Sequence, residues 1–402
     1  MTCPDSKISS LEFTLLVALM MSIVAISIDA LLPALGIIRT EIPMANANQA
    51  QLIISALFLG MAIGQLICGP LSDATGRKKV LYSGILLFLG GSLICFFAHD
   101  INTLLLGRFI QGLGVSGPYV SAISIVRDKY AGREMAKVMS LVMMIFIMVP
   151  AIAPSLGQSI LLFASWRYVF VLYIVYSIAI GLWIFLRLEE TLPKENRIPL
   201  SATGFIDGFK EVICNRVTMG YTLCMGLFFG SFVGYLNSSQ QIFQVQFGTG
   251  KMFTVYFGVL ALVFGVSSLF NSQLVEKWGM HFISHRAVLS IIASSALFLG
   301  LHGITDIHLW MFMIYAAILF FAFGLIFGNV NAMAMEPMGH VAGIASAIIG
   351  SVSSIISMVI GTFIGQMYNN TLIPVTIGFL TMTSLALLLM KFADSNNPNS
   401  GS

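Results

Sequence analysis

Long apolar stretches alternate with short polar ones along almost the whole 402-residue chain. Crossing the hydrocarbon core of a bilayer takes a helix of about 20 apolar residues. Twelve stretches approach or exceed that length: Leu11–Ile38, Gln51–Gly69, Val80–Ala98, Thr103–Val126, Val138–Phe163, Val169–Leu188, Val217–Ser239, Met252–Val275, Ala287–Gly303, Leu309–Ala334, Val341–Tyr368 and Leu372–Phe392. They are apolar nearly all round, so helical periodicity assigns no face, and length carries the argument. One connection is long and polar, Glu189–Arg216, and it leaves six spans on either side. The pattern predicts an all-α integral membrane protein of twelve transmembrane helices in two six-helix bundles. The bundles take residues 1–188 and 217–392, joined by a linker over 189–216 and followed by a polar tail over 393–402.

Composition agrees. Hydrophobic residues make up 57% of the chain and charged residues 9%, against about 25% charged in a soluble domain. The net charge of +3 is too small to suggest a nucleic-acid partner. The distribution of cations is more informative. With the N-terminus inside, the cytoplasmic segments hold 16 Lys and Arg, from Lys7 through Arg77–Lys79 to Lys391, against three outside, Arg39, Arg167 and Lys251. The positive-inside rule then puts both termini and the long linker in the cytoplasm of a cell whose inner membrane the chain spans. The first apolar span reads as a retained helix because no small-residue cleavage site accompanies it. The five cysteines are scattered with no CxxC pairing, so no disulfide framework or zinc site is expected. The histidines lie near helix ends or in loops without metal-ligand spacing. FGTGKMF at Phe247–Phe253 lacks the phosphate-loop spacing, so an ion gradient, with no cofactor, is the expected energy source.

The halves carry a faint repeat. Leu71, Asp73 and Gly76 recur as Leu274, Glu276 and Gly279, a constant shift of 203 residues at equivalent places in the two halves. Parallel repeats of this kind put a substrate site near the bilayer midplane, between the halves.

The first of these turns, GPLSDATGRKKVL at Gly69–Leu81, joins two spans and packs an acid, a glycine and three cations together. It closely resembles the loop between helices 2 and 3 of the major facilitator superfamily. Four further stretches resemble the drug:proton antiporter branch of that superfamily, and within it the Bcr/CflA multidrug group. They are SIDALLPAL at Ser27–Leu35, LLLGRFIQGLGVS at Leu104–Ser116 with IVRD at Ile125–Asp128, PAIAPSLG at Pro150–Gly157 with the following Trp166-Arg167, and EPMGHVAGIASAIIG at Glu336–Gly350. The helix 5 motif departs from the family pattern: Ala153-Pro154 precedes a single Gly157 and then Gln158. The resemblance implies proton-coupled export of amphipathic small molecules such as antibiotics by a monomer, with lipid as the surrounding partner. A dedicated exporter of one metabolite shares the same motifs. A ligand sensor on a transporter scaffold is the reading from another class. No nucleophile–base pair points to an enzyme.

Individual residues then take expected roles. Gly69, Asp73, Gly76, Arg77 and Asp128 form a candidate cytoplasmic latch: Gly76 permits the turn, Asp73 suits the N-terminal end of the eleventh span, and Arg77 can pair with Asp128. The bland reading is a positive-inside anchor. Asp29 lies about 27 Å along the first span from its start. A carboxyl removed from water favours its protonated form, so Asp29 is the candidate proton carrier; otherwise it is an interfacial acid beside Pro33. Arg108 is the cation within a span and needs acceptors, with Gln111 and backbone carbonyls of the first helix as candidates. It either relays protonation of Asp29 or braces helices. Gly112 suits close helix packing. Pro150, Pro154 and Gly157 bend and thin the fifth span, either as a gate or as packing against the eighth. Tyr119, Met144, Ile147, Phe228, Tyr235, Asn237, Tyr256, Asn329 and Asn331 are candidates to line a substrate pocket. Glu336 fits an interfacial turn.

Overall fold

The computed structural model describes residues 9–130, 132–197 and 202–395. Its helices, in chain order, are α1 (Ser10–Asp29), α2 (Leu35–Glu41), α3 (Leu52–Thr75), α4 (Arg77–Phe96), α5 (Ile101–Lys129), α6 (Gly132–Leu161), α7 (Tyr168–Arg187), α8 (Ala202–Cys214), α9 (Arg216–Gln240), α10 (Phe253–His302), α11 (Leu309–Met335), α12 (Ala342–Gln366) and α13 (Ile373–Asp394). Leu86, Leu93, Phe185 and Leu388 are among many large apolar side chains left exposed. Such a surface suits lipid.

Two predicted boundaries change. The first span is not one helix. α1 stops at Asp29, a 3₁₀ turn covers Leu32–Ala34, and α2 resumes the path. Pro33 supplies the reason: it has no N–H to donate to the Asp29 carbonyl four residues back, and its ring crowds that carbonyl. The polar linker is also partly ordered. It contains α8, whose Gly208 lies against Ile344 of α12.

Spans eight and nine run together as α10, fifty residues interrupted at Gly279 (φ 73°, ψ 160°). Val263 and Ser290 line one groove, yet a straight helix would hold them about 40 Å apart. The chain therefore folds back at Gly279, and the eleven continuous apolar helical segments among the described residues make twelve spans. Gly76, between α3 and α4, has φ 105° and ψ 154°. Both lie in a backbone region essentially reserved for glycine. The repeat read from three residues is thus a repeat of turn geometry.

Close backbone approach organises the helices within each half. A Cβ on Gly112 of α5 would overlap the Leu57 carbonyl of α3, and one on Gly60 would overlap that of Phe109. In the second half Gly226, Gly230 and Gly234 of α9 receive Ile356, Ile360 and Ile364 of α12 in register. Small residues in this spacing let membrane helices pack without a hydrophobic driving force. Between the halves, α3 packs on α12 and α6 on α10. Gly258 of α10 lies against the Ala151 carbonyl of α6.

Candidate functional site

The break in α1 leaves carbonyls without their helical donors, and these become the site's anchors. Arg108 of α5, 0% exposed, donates from Nη2 to the Ser27 carbonyl at 2.9 Å, from Nε to the Ile53 carbonyl at 3.1 Å and from Nη1 to Gln111 Oε1 at 2.8 Å. Tyr173 Oη of α7 also donates to the Ser27 carbonyl, at 3.2 Å. Gln111 in turn donates to Ser92 Oγ at 2.7 Å. A cation at a helix C-terminus faces the negative end of its dipole, so Arg108 caps the broken end of α1 while tying it to α3 and α5.

Asp29 is the last residue of α1 and is 5% exposed. Among the described residues it is the one buried carboxylate, and no hydrogen bond or ion pair reaches it. Arg108 spends its donors elsewhere. Tyr173 of α7 and Tyr235 of α9, the latter in the other half, are buried as well. Tyr235 Oη is itself buried without a hydrogen-bond partner. Gly157 of α6 packs on the next residue: a Cβ there would collide with the Ala30 carbonyl. The Gly157 end of the helix 5 motif therefore meets the break beside Asp29, while its Ala151 end packs on Gly258 of the eighth span. Pro150 and Pro154 lie inside α6, which remains one helix.

The turn at Gly76 gathers a second group. Arg77 is 3% exposed. It donates from Nε to Asp128 Oδ2 at 2.8 Å and from Nη1 to Ser72 Oγ at 3.1 Å, and it pairs with Asp73. Glu190, just after α7, accepts from the backbone N–H of Arg77 at 2.9 Å and of Lys78 at 3.2 Å. It thereby caps the free amides at the start of α4. Lys78 Nζ donates to the Leu188 carbonyl at 2.7 Å, and Thr191 Oγ1 to Asp128 Oδ2 at 3.0 Å. A Cβ on Gly76 would lie 2.7 Å from Glu190 and 2.8 Å from Arg197. Gly69 of α3 faces Ala347 of α12 across the halves. The expected meeting of Asp73 with the start of α12 falls on side chains 339–343, outside the described residues.

At the opposite end of α3 the halves are joined by uncharged groups. Asn48 Nδ2 donates to the carbonyls of Gln366 and Tyr368, both at 2.9 Å, and Gln366 Nε2 returns a bond to the Asn48 carbonyl at 2.8 Å. Gln241 Nε2 donates to Asn48 Oδ1 at 3.0 Å, and Gln51 Nε2 to Gln241 Oε1. One turn deeper, Ser55 Oγ accepts from Thr362 at 2.7 Å and from Asn237 Nδ2 at 3.3 Å. This clasp joins the two halves at that end.

Two pseudo-symmetric halves packed on one another, with a charged turn at one end of α3, an uncharged clasp at the other and a buried acid at a helix break, are the layout of a transporter. Residues 14–362 match the model of the Major Facilitator Superfamily. The chain belongs to the major facilitator superfamily. It is 35% identical over 331 residues to an uncharacterized MFS-type transporter, YdgK, of Bacillus subtilis, with 81% of each chain covered. It is 25% identical to a bicyclomycin resistance protein homolog of Haemophilus influenzae, with 97% of this chain and 98% of the relative covered. It is 30% identical to the multidrug resistance protein MdtL of Klebsiella pneumoniae, with 86% and 87% covered. These relatives agree with the drug:proton antiporter branch that the motifs resemble. Among solved structures, the xylose transporter XylE of E. coli superposes with a TM-score of 0.75 at 13% identity over 98% of this chain and 99% of that one, a likeness of fold alone. The chain is a multi-pass membrane transporter.

Within this superfamily fold the candidate pocket residues separate. Tyr235 is buried, stacked on Phe257 with centroids 6.3 Å apart and edge-on to Phe320 at 5.3 Å. Phe228 is buried. Tyr119 and Tyr256 are half-buried, and Tyr256 stacks on Phe243. Met144 is exposed. The Ile147 side chain lies outside the described residues. Asn237 belongs to the clasp, bonding also to the Gly361 carbonyl at 3.1 Å. Asn329 exchanges two hydrogen bonds with Asn271 of α10, at 2.9 and 3.0 Å. Asn331, two residues on, points elsewhere and is exposed. Asn48, Gln51, Ser55, Tyr173, Glu190 and Gln366 were not singled out in the sequence. Their partners are distant in the chain, and no local motif marks them.

Proposed function

We propose that the chain is a proton-coupled exporter of amphipathic small molecules, drugs among them, working by alternating access with both termini in the cytoplasm. The observation that carries this reading is the state of Asp29: buried, without a partner, at the broken end of α1. The relatives named for bicyclomycin and multidrug resistance support a drug-like cargo. The excess of cations at the Arg77 end supports a cytoplasmic face there.

In this reading Asp29 Oδ holds the proton. A lone carboxylate in a dry cleft costs free energy when ionised, so closure of the cleft is favoured with Asp29 either protonated or matched by a cationic cargo. The two exclude one another, which is antiport. Arg108 keeps its three acceptors throughout and positions the end of α1, and Gly157 lets α6 follow the movement of Ala30. Phe58 and Phe229, edge to face at 5.9 Å across the halves, and Tyr235 offer aromatic surface to the cargo. The Asn48 clasp holds the outer end shut in this state, and the Arg77 group stabilises the cytoplasmic end when the halves rock the other way.

The test is proton release from detergent-purified protein as cationic and neutral compounds are added, with Asp29→Asn alongside. Release that follows ligand addition and disappears in Asp29→Asn supports the assignment. Ligand binding with the same proton release in the variant would sink it.

A further inference from the structure

We infer that a lipid-facing groove on the second half is a binding site for an anionic phospholipid. The inference rests on the orientation proposed above, which puts the Gly279 turn on the cytoplasmic side.

α10 folds back at Gly279, and its two arms and α11 enclose a groove of about 650 Å³. Its walls are apolar, with Val263, Leu274, Phe282, Ile314, Phe321 and Leu325 among them. Several stay exposed: Ile314 by 56% and Phe282 by 47%. In a membrane chain such walls are covered by acyl chain. Trp278 adjoins the Gly279 turn and Arg286 lines the groove about 10 Å from it along the second arm, a distance a lipid headgroup region spans. Trp278 is 58% exposed there, where an indole ring suits the headgroup level.

Arg286 identifies the headgroup. Its guanidinium lies over the Phe282 ring, 5.2 Å from the centroid. Arg77, Arg167 and Arg187 each hold a carboxylate, whereas Arg286 makes no ion pair among the described residues. Glu276 and Lys277 on the same turn are opposite in charge, and Asp394 is engaged by His281 and His285, so among the described residues Arg286 is left without an acidic partner. A basic pocket between membrane helices on the cytoplasmic face takes lipid phosphate, and the planar guanidinium matches phosphate oxygens two at a time. A cationic cargo entering from the bilayer would be repelled at the same point, so the groove suits an anionic lipid and not the transported molecule.

The experiment is native mass spectrometry of the full chain in detergent, titrated with phosphatidylglycerol or phosphatidylcholine, without cargo or gradient. Wild type is expected to retain phosphatidylglycerol preferentially. Arg286→Gln should weaken that retention about fivefold, the effect of one basic residue at a headgroup, and leave phosphatidylcholine unchanged. Arg286→Lys should keep most of the preference, and Ala317→Trp, which fills the groove, should reduce both lipids. Equal retention of the two lipids, indifference to Arg286→Gln, or full competition by inorganic phosphate would overturn the proposal. Cargo-induced proton release measured on the same variants reads the exporter assignment separately. An Arg286→Gln protein that loses lipid but still releases protons supports the lipid site as distinct from the transport site.

Discussion

Arg108 and Asp29 are both buried ionisable groups at the broken end of α1, yet they are solved differently. Arg108 meets three acceptors on three helices, and Asp29 meets no donor among the described residues. A charge that cannot be lost needs permanent partners, whereas a group that must change its charge cannot have them. Arg108→Lys tests the first half of that statement. Lysine keeps the charge but places it at one point, so carbonyls at Ser27 and Ile53 cannot both be served, and an unserved buried acceptor costs about 1–3 kcal/mol. The expected result is a lower thermal unfolding midpoint in detergent together with reduced transport. A variant with wild-type stability would show that the fork geometry of Arg108 is dispensable. The Asp29 half is read by loss of cargo-linked proton release in Asp29→Asn.

At the scale of elements, the turns and helix ends carry most of the specific information. Gly76 and Gly279 share a backbone conformation that costs other residues about 1–3 kcal/mol. Gly76→Ala and Gly279→Ala should each lower stability by an amount in that range, with Gly76→Ala the worse because its Cβ would press on Glu190 and Arg197. Scanning calorimetry of the two variants checks both the size and the order. The start of α5 gives a pH-dependent case. Asp100 accepts from the Thr103 hydroxyl at 2.6 Å and the Thr103 amide at 2.9 Å, and these bonds hold its carboxyl below the usual carboxylate range. A depressed pKa contributes stability above the unfolded value, and that contribution is lost as pH falls through the folded one. Asp100→Ala should therefore lower the unfolding midpoint by a constant amount from about pH 5 to about pH 8, and the gap should narrow as the pH falls below the ordinary carboxylate range. The same scale shows why some features were legible and others were not. The twelve spans, the Gly76 turn and the Arg108–Gln111 bond follow from hydropathy or from residues close in one motif, and the Arg77–Asp128 pair from two separate motifs of the family the chain resembles. The break of α1 was also written in the chain, at Pro33, but the apolar run on either side hides it from a length argument. The clasp was not legible. Its members are ordinary polar residues up to 320 positions apart, and they become a group only when two halves close.

At the scale of the molecule, the two ends of the interface between the halves use different chemistry. The Arg77 end is charged and held mainly within the first half, with linker residues Glu190 and Thr191 attached to it. The Asn48 end is uncharged and bridges the halves. A neutral seal does not titrate, so in the proposed cycle the pH dependence of opening falls to the buried acid and not to the gate. The energetics also suit a seal that must break in every cycle. Each amide bond contributes only about 1 kcal/mol net, and several acting together hold the end shut without making it permanent. Asn48→Ala removes two donated bonds and one accepted bond while leaving the helices' apolar packing intact. That loss should shift the balance toward the state open at the clasp end by at least about tenfold. Spin labels or fluorophores placed on α2 and at the start of α13 should report a longer separation in Asn48→Ala than in wild type. Protonation of Asp29 should act on that separation in both proteins, because the variant alters the seal and leaves the sensor untouched. A separation unchanged by Asn48→Ala would mean that apolar contacts between α3 and α12, and not the amides, hold the clasp end closed.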